Sequence, residues 1–404
     1  MPDIMKVAIL SPAKIEGNFS GLHVLGDIAV LLNSDGRTKV TIFSVDKKEE
    51  KISKHNYSEE VVKGVRYIKN KDILLGFLEY LSIFLFKRSY LYQVRNNNKR
   101  FFKALSKFSP SIIITSYEFS DLVKRYKDDH DEVKILALMD DPRQIEDTVN
   151  AKILSISDIS RTYIIYKYLA NIVGQHYINI INLKYSKLVS YADRVINFTE
   201  EGMSISKTLY KKYSYKFHVI PPPLKVKNTS RNLKTPILHN KPNILFLGSC
   251  GYSPNDEAIN LIVNKIAPKT KNFKFILVGT NCKSYTANNV ISKGYVSNLD
   301  EVLNEVSICI APIIHGGGIK TKVLSYFLAN KPVIGTSKAF EGYPIRNGTN
   351  AIIEDDINNY PKQIIKLYQN QKIRKRLIKN SYSVCSYFSP RRIKKFWLEL
   401  FSSI

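Results

Sequence analysis

Short apolar runs alternate along most of the chain with stretches whose apolar positions recur at helical spacing. Lys6 to Leu10 (KVAIL) has the continuous apolar character of a strand buried on both faces. A loop with Gly17 and Gly21 follows, and a helical pattern from Leu22 to Leu32 closes at Asp35-Gly36. Lys39 to Ser44, Ser111 to Thr115, Lys134 to Leu138 and Arg194 to Phe198 predict further strands. Strands alternating with helices make parallel βαβ units, so the expected class is α/β with a doubly wound sheet.

The alternation stops at Pro221-Pro222-Pro223, and residues 224–241 are polar, basic and aperiodic, as a linker is. A second strand series then begins: Asn243 to Leu247, Phe273 to Val278, Val306 to Ala311, Pro332 to Gly335 and Asn350 to Ile353. A last helix is expected from Arg391 to Phe401, after Ser389-Pro390. The pattern divides the chain into a domain at 1–223, the linker, a second domain at 242–388 and a terminal helix within 389–404.

Composition adds exclusions. Hydrophobic residues make up 44% and charged ones 24%, which rules out a disordered or fibrous chain. The longest apolar stretch, 72–86, is broken by Glu79 and falls short of the ~20 residues of a spanning helix. The opening apolar run is too short for a signal-peptide core. Cys250, Cys282, Cys309 and Cys385 are scattered, without a C-x-x-C pair; they predict neither a zinc site nor a disulfide framework, and a reduced, cytoplasmic setting.

Charge is unevenly spread. The formal net charge is +26, with 30 Lys and Arg against 24 Asp and Glu in residues 1–200 but 31 against 11 in residues 201–404. The second half should attract anions: nucleotide phosphates, nucleic acid or acidic lipid headgroups.

The best place for an anion is the loop after Val306 to Ala311. There Pro312 leads to His315-Gly316-Gly317-Gly318 and then Ile319-Lys320-Thr321-Lys322, where a helical pattern starts. In open α/β sheets ligands bind beyond the carboxyl ends of strands. Three glycines let backbone approach a ligand, free N–H groups and the helix dipole favour negative charge, and two lysines stand beside them. The loop is not a P-loop, since Ile319 and not Gly stands directly before Lys320, and Gly17-x-x-x-Gly21 is not a dinucleotide fingerprint.

These residues carry a resemblance. The segments NILFLGSCGYSPNDEAI (243–259), FILVGTN (275–281), GYVSNLDEVLNEVSICIAPIIHGGGIKTKVLSYFLANKPVIGT (294–336) and FEGYPIRNGTNAII (340–353) follow in order and spacing the donor domain of GT-B fold glycosyltransferases. They resemble the large retaining family that includes many bacterial cell-surface sugar transferases of polysaccharide biosynthesis. KFSPSIIITSY (107–117), LMDDP (138–142) and YADRVINFTEEG (191–202) match the first domain more weakly. The resemblance implies two Rossmann-like domains facing across a cleft, with the terminal helix packing back toward the first. A nucleotide sugar such as a UDP- or GDP-sugar would lie on the second domain, and a glycan or lipid-linked acceptor on the first. It implies no metal and no bound cofactor. By this carry-over Gly248 and Ser249 lie near the diphosphate, Gly317, Gly318, Lys320 and Lys322 hold phosphates, and Tyr295 and Val296 lie along the base. The family's pair of glutamates falls here on Gly317 and Ser325, so a hydroxyl takes the place of the ribose-binding carboxylate, and Glu341 is expected to approach sugar or ribose instead.

Three further candidates come from position. His315 precedes the glycines and is expected to touch the donor, while Asp140 and Asp141 follow a buried strand and are placed to orient or deprotonate an acceptor hydroxyl, or to form a turn and helix cap. His23 reads as structural. The stretches 74–86 and 156–188, and the cluster 372–380, offer amphipathic or basic faces to an anionic membrane surface, with core helices and a solvated helix face as the alternatives. Three functions are compatible: a retaining hexosyltransferase, a nucleotide-sugar epimerase or non-catalytic relative on the same fold, and a nucleic-acid binder. The last has only charge in its favour, since no recognition module is present, and nucleic acid is not the expected partner.

Overall fold

The computed structural model describes residues 4–11, 20–34, 36–45, 58–62, 98–139, 141–143, 163–223, 242–282 and 289–404. Asp140, the loop with Gly17, the stretch 74–86 and the linker 224–241 lie outside these residues.

The first domain runs β1 (Met5–Ser11), α1 (Ser20–Asn33), β2 (Thr38–Val45), β3 (Ser58–Val62), α2 (Asn98–Phe108), β4 (Ile112–Thr115), α3 (Ser120–Asp129), β5 (Lys134–Leu138), α4 (Tyr163–Tyr191), β6 (Arg194–Asn197), α5 (Glu200–Leu209) and β7 (Phe217–Val219). Its strands form one parallel sheet in the order β3-β2-β1-β4-β5-β6-β7. Side chains alternate across that sheet. Ala8, Leu10, Ile113, Ile135 and Ala137 pack with Phe101, Tyr126 and Leu188 of α2, α3 and α4. Val7, Ile9, Ile112, Ile114 and Leu136 pack on the other side with Ile28 and Leu32 of α1. The long α4 buries Ile178, Ile181, Tyr185, Leu188 and Val189, so the described part of the 156–188 stretch presents a core-facing stripe.

The second domain runs β8 (Asn243–Leu247), α6 (Ser253–Leu261), β9 (Lys274–Val278), β10 (Val290–Gly294), α7 (Leu299–Asn304), β11 (Ile308–Ala311), α8 (Thr321–Leu328), β12 (Val333–Gly335), β13 (Ile352–Ile353), α9 (Tyr360–Gln369) and α10 (Gln371–Tyr387). Its sheet is also parallel, in the order β10-β9-β8-β11-β12-β13. One core joins both faces of this domain to Leu377 and Val384 of α10 and to Phe388 just beyond it. The last helix, α11 (Pro390–Ser402), leaves it: Ile393, Trp397, Leu400 and Phe401 lie in the core cluster of β1, β4 and α1. Among the described residues no helix is long and apolar enough to cross a membrane.

The cysteine expectation is corrected. Cys250 and Cys282 form a disulfide with Cα atoms 5.0 Å apart, while Cys309 and Cys385 are free and buried. β8 and β9 pair in register from Asn243–Lys274 to Leu247–Val278, so the loops leaving their carboxyl ends start side by side. Two residues separated by 32 positions thereby meet, which spacing along the chain does not reveal.

Candidate functional site

The carboxyl ends of β5, β6, β11 and β12 supply the residues that meet between the domains. Beyond β11 the backbone turns through Gly316 and Gly318, whose φ angles of 95° and 71° suit glycine alone. Gly317 is required for a different reason: a Cβ there would stand 2.5 Å from Cγ of Asp141, which comes from the loop after β5. Oδ2 of Asp141 accepts from the Gly318 N–H at 3.1 Å. The glycine loop therefore faces the first domain, and a carboxylate already rests on its amide.

Asp141 is 6% exposed and accepts from Arg143 through the backbone N–H at 3.0 Å, through Nε at 2.8 Å and through Nη2. Burial alone would raise its carboxyl, but the donors of Arg143 and Gly318 outweigh that and hold it below the usual carboxylate range. Such a carboxylate stays ionised and is a weak proton acceptor. Arg143 Nη2 also donates to Oε1 of Glu341, whose Oε2 receives Lys338 at 3.0 Å. Glu341 is 7% exposed, so two acidic groups from the two domains share one guanidinium. An interdomain cleft of about 530 Å³ opens beside them, lined by Arg143, Phe198, Thr199, Lys338, Glu341 and Tyr343.

The two lysines of the loop point elsewhere. Lys320 Nζ donates to the carbonyls of Gly316, Gly317 and Gly318 at 2.9, 3.1 and 2.6 Å, and its own carbonyl accepts from Tyr343 Oη at 2.8 Å. Its ammonium staples the loop from inside, and burial pushes it down to about 8. Lys322 Nζ donates to Asn255 Oδ1 and sits 4.5 Å over the Phe246 ring; burial, then Lys320, push it down to about 7. Asn255 in turn donates to the Ser249 carbonyl at 2.8 Å, and a Cβ at Gly248 would fall 2.8 Å from Asn255 Cγ. Gly248, Ser249 and Lys322 are thus joined through Asn255, which the sequence did not single out. The Cys250–Cys282 bridge closes the same loop against the one after β9.

The other expected residues are more peripheral. His315 lies at the mouth of the loop and bridges to α6, with Nδ1 at 2.5 Å from Glu257 Oε2 and Nε2 at 3.2 Å from Ser253 Oγ. Ser325 is half-buried on the second turn of α8, its hydroxyl directed to the Thr321 carbonyl at 3.4 Å. Tyr295 is 65% exposed on the loop after β10, while Val296 leans on the second core. Sequence reasoning missed Arg143. Asp141-Pro142 marks a turn, but nothing local shows that the next side chain reaches Glu341, 198 positions away. Among the described residues no cluster of acidic, His or Cys side chains suits a metal ion.

Residues 241–370 match the family described as glycosyl transferases group 1. Solved structures align over nearly the whole chain. Sucrose-phosphate synthase from Thermosynechococcus elongatus has a TM-score of 0.68 at 12% identity, covering 99% of this chain and 100% of that one. TarM gives 0.66 at 12%, covering 99% of both. Anabaena HepE, solved with UDP and glucose, gives 0.60 at 12%, covering 99% and 100%. Among curated protein sequences none matches. Identity this low shows the fold, and that fold is GT-B.

Proposed function

From a GT-B fold whose second domain matches the glycosyl transferases group 1 family, we propose that this protein transfers a sugar, of the hexosyl type and with retention, from a nucleotide-sugar donor to a hydroxyl of a glycan or lipid-linked acceptor. One observation carries the reading: the Gly318 amide between β11 and α8 donates to a carboxylate of the first domain, Asp141, as it would to a phosphate. HepE solved with UDP and glucose, and Staphylococcus aureus TarM solved with UDP and α-GlcNAc-glycerol, give the donor and acceptor classes by analogy.

In this reading Gly317 and Gly318 meet the donor diphosphate, with Lys320 holding their carbonyls and the Gly318 amide directed toward the first domain. The bond from the anomeric carbon to the phosphate oxygen breaks with its electrons going to the nucleoside diphosphate. The acceptor oxygen bonds to that carbon, and its proton passes to an acidic oxygen in the cleft. Amides aimed at the developing phosphate charge lower the barrier because they need no reorganisation. Asp141 contributes charge and position, whereas Asp140 remains the proposed proton acceptor. His315 and Glu341 border the donor sugar, Tyr295 and Val296 the base, and Ser325 the ribose. No metal is required of these residues. In this reading the protein acts in the cytoplasm despite its disulfide, and the basic cluster 372–380 on α10 offers a peripheral contact to anionic lipid.

The test is calorimetry with UDP, GDP and their sugar conjugates. Binding of a nucleoside diphosphate is expected, and a panel without any binding removes the transferase reading. Ser325 in the glutamate position favours a second reading, an epimerase or non-catalytic relative. A new free sugar formed from donor alone would support that one.

A further inference from the structure

The cradle proposed for the donor diphosphate already holds an anion, and that anion is the protein's own. Asp141 reaches from the first domain to the Gly318 amide of the second, and its Cγ fills the space where a Cβ on Gly317 would stand. Carboxylate and phosphate present the same kind of oxygen to an N–H group, and two anions cannot share one amide at hydrogen-bond distance. A donor phosphate on Gly318 therefore requires that Asp141 leave.

The cations around the cradle show what would follow. The ammonium of Lys320 is spent on three carbonyls of its own loop, and that of Lys322 on Asn255 and Phe246. Among the described residues the side chain of Arg143 is held by the carboxylate oxygens of Asp141 and Glu341, and it is 30% exposed at the cleft. It is the guanidinium best placed to exchange one oxyanion for another, since a planar fork accepts phosphate as readily as carboxylate.

We infer that Asp141 is an internal substitute for the donor diphosphate, displaced from the Gly318 amide when nucleotide binds, and that Arg143 passes from Asp141 to the incoming phosphate. The inference rests on the donor-site reading above. Displacement changes no covalent bond and moves no proton, because the carboxylate is ionised before and after. It lowers apparent donor affinity by the fraction of molecules in which the cradle is self-occupied.

The experiment is calorimetric titration of UDP and GDP into the wild-type protein, Asp141→Asn and Arg143→Gln. Asp141→Asn is expected to bind at least tenfold more tightly than wild type, and Arg143→Gln at least tenfold more weakly. If Arg143 merely pins Asp141, its loss loosens the occupant and tightens binding; that result overturns the inference, as does unchanged or weaker binding by Asp141→Asn. Hydrogen exchange on the wild type needs no variant to fold. Saturating UDP should slow exchange around Gly316 to Lys322 and speed it in peptides containing Asp141 and Arg143, whereas slowing in both overturns the displacement. Binding by wild type with no gain in Asp141→Asn ends this inference alone. Binding by neither protein ends the donor reading with it.

Discussion

Lys320 occupies a phosphate-binding position in the sequence pattern and a structural one in the folded protein. Replacing it by Ala leaves the carbonyls of Gly316, Gly317 and Gly318 without their buried donor. Loss of one charged donor shared by several acceptors should cost roughly 3 kcal/mol, read in urea unfolding of the nucleotide-free protein. An unchanged midpoint would mean that the ammonium is free for a ligand. The glycines themselves were legible, because three in a row between a strand and a helix have few uses. The direction of each lysine was not, since Asn255, Phe246 and Tyr343 come from elsewhere in the chain. Arg143 was invisible for the same reason. Local pattern identifies the backbone that meets a ligand, whereas the side chains around it depend on which loops the topology brings together.

At the scale of elements, strands buried on both faces declared themselves by continuous apolar runs, as β1, β4, β5, β8, β9 and β11 do. β3, β7 and β10 did not. All three lie at an outer edge of their sheets, where one flank needs no apolar cover; SEEVV and VISKG carry charge, and FHV is short. The disulfide belongs to this scale too, because it depends on the register of β8 against β9. Reducing it should lower stability by about 4 kcal/mol for a loop of this length, measured by urea unfolding with and without a dithiol. Burial pushes the thiols of Cys309 and Cys385 up, the latter to about 12. Alkylation of the native protein should therefore modify no cysteine until reduction exposes Cys250 and Cys282; labelling of Cys309 or Cys385 beforehand would show that the cores open. Trp397→Ala should cost about 3–5 kcal/mol, since the ring is fully buried, with calorimetry showing the loss mainly in the first domain.

Across the whole molecule, the net charge of +26 and the buried lysines act in one direction. Burial holds Lys320 and Lys331 near about 8 and Lys322 near about 7, against about 10.4 for an unfolded lysine. Below those values the folded state carries three ammonium groups that solvent would hold more comfortably. As pH rises toward the unfolded value the unfolded chain binds more protons than the folded one, so stability increases. Melting temperature should climb between pH 7 and about 8, above which the buried thiols of Cys309 and Cys385, raised by burial, begin to oppose the lysines; a flat or falling curve between pH 7 and about 8 would contradict this burial. The two domains are also linked twice by the backbone. One crossing lies between β7 and β8; the other, at Phe388 and Ser389, delivers α11 to the opposite core. The crossing at Phe388 and Ser389 ties elements packed in opposite cores, α10 on one side and α11 on the other. Opening of the cleft should accordingly pivot near those two residues, drawing the glycine loop away from Asp141.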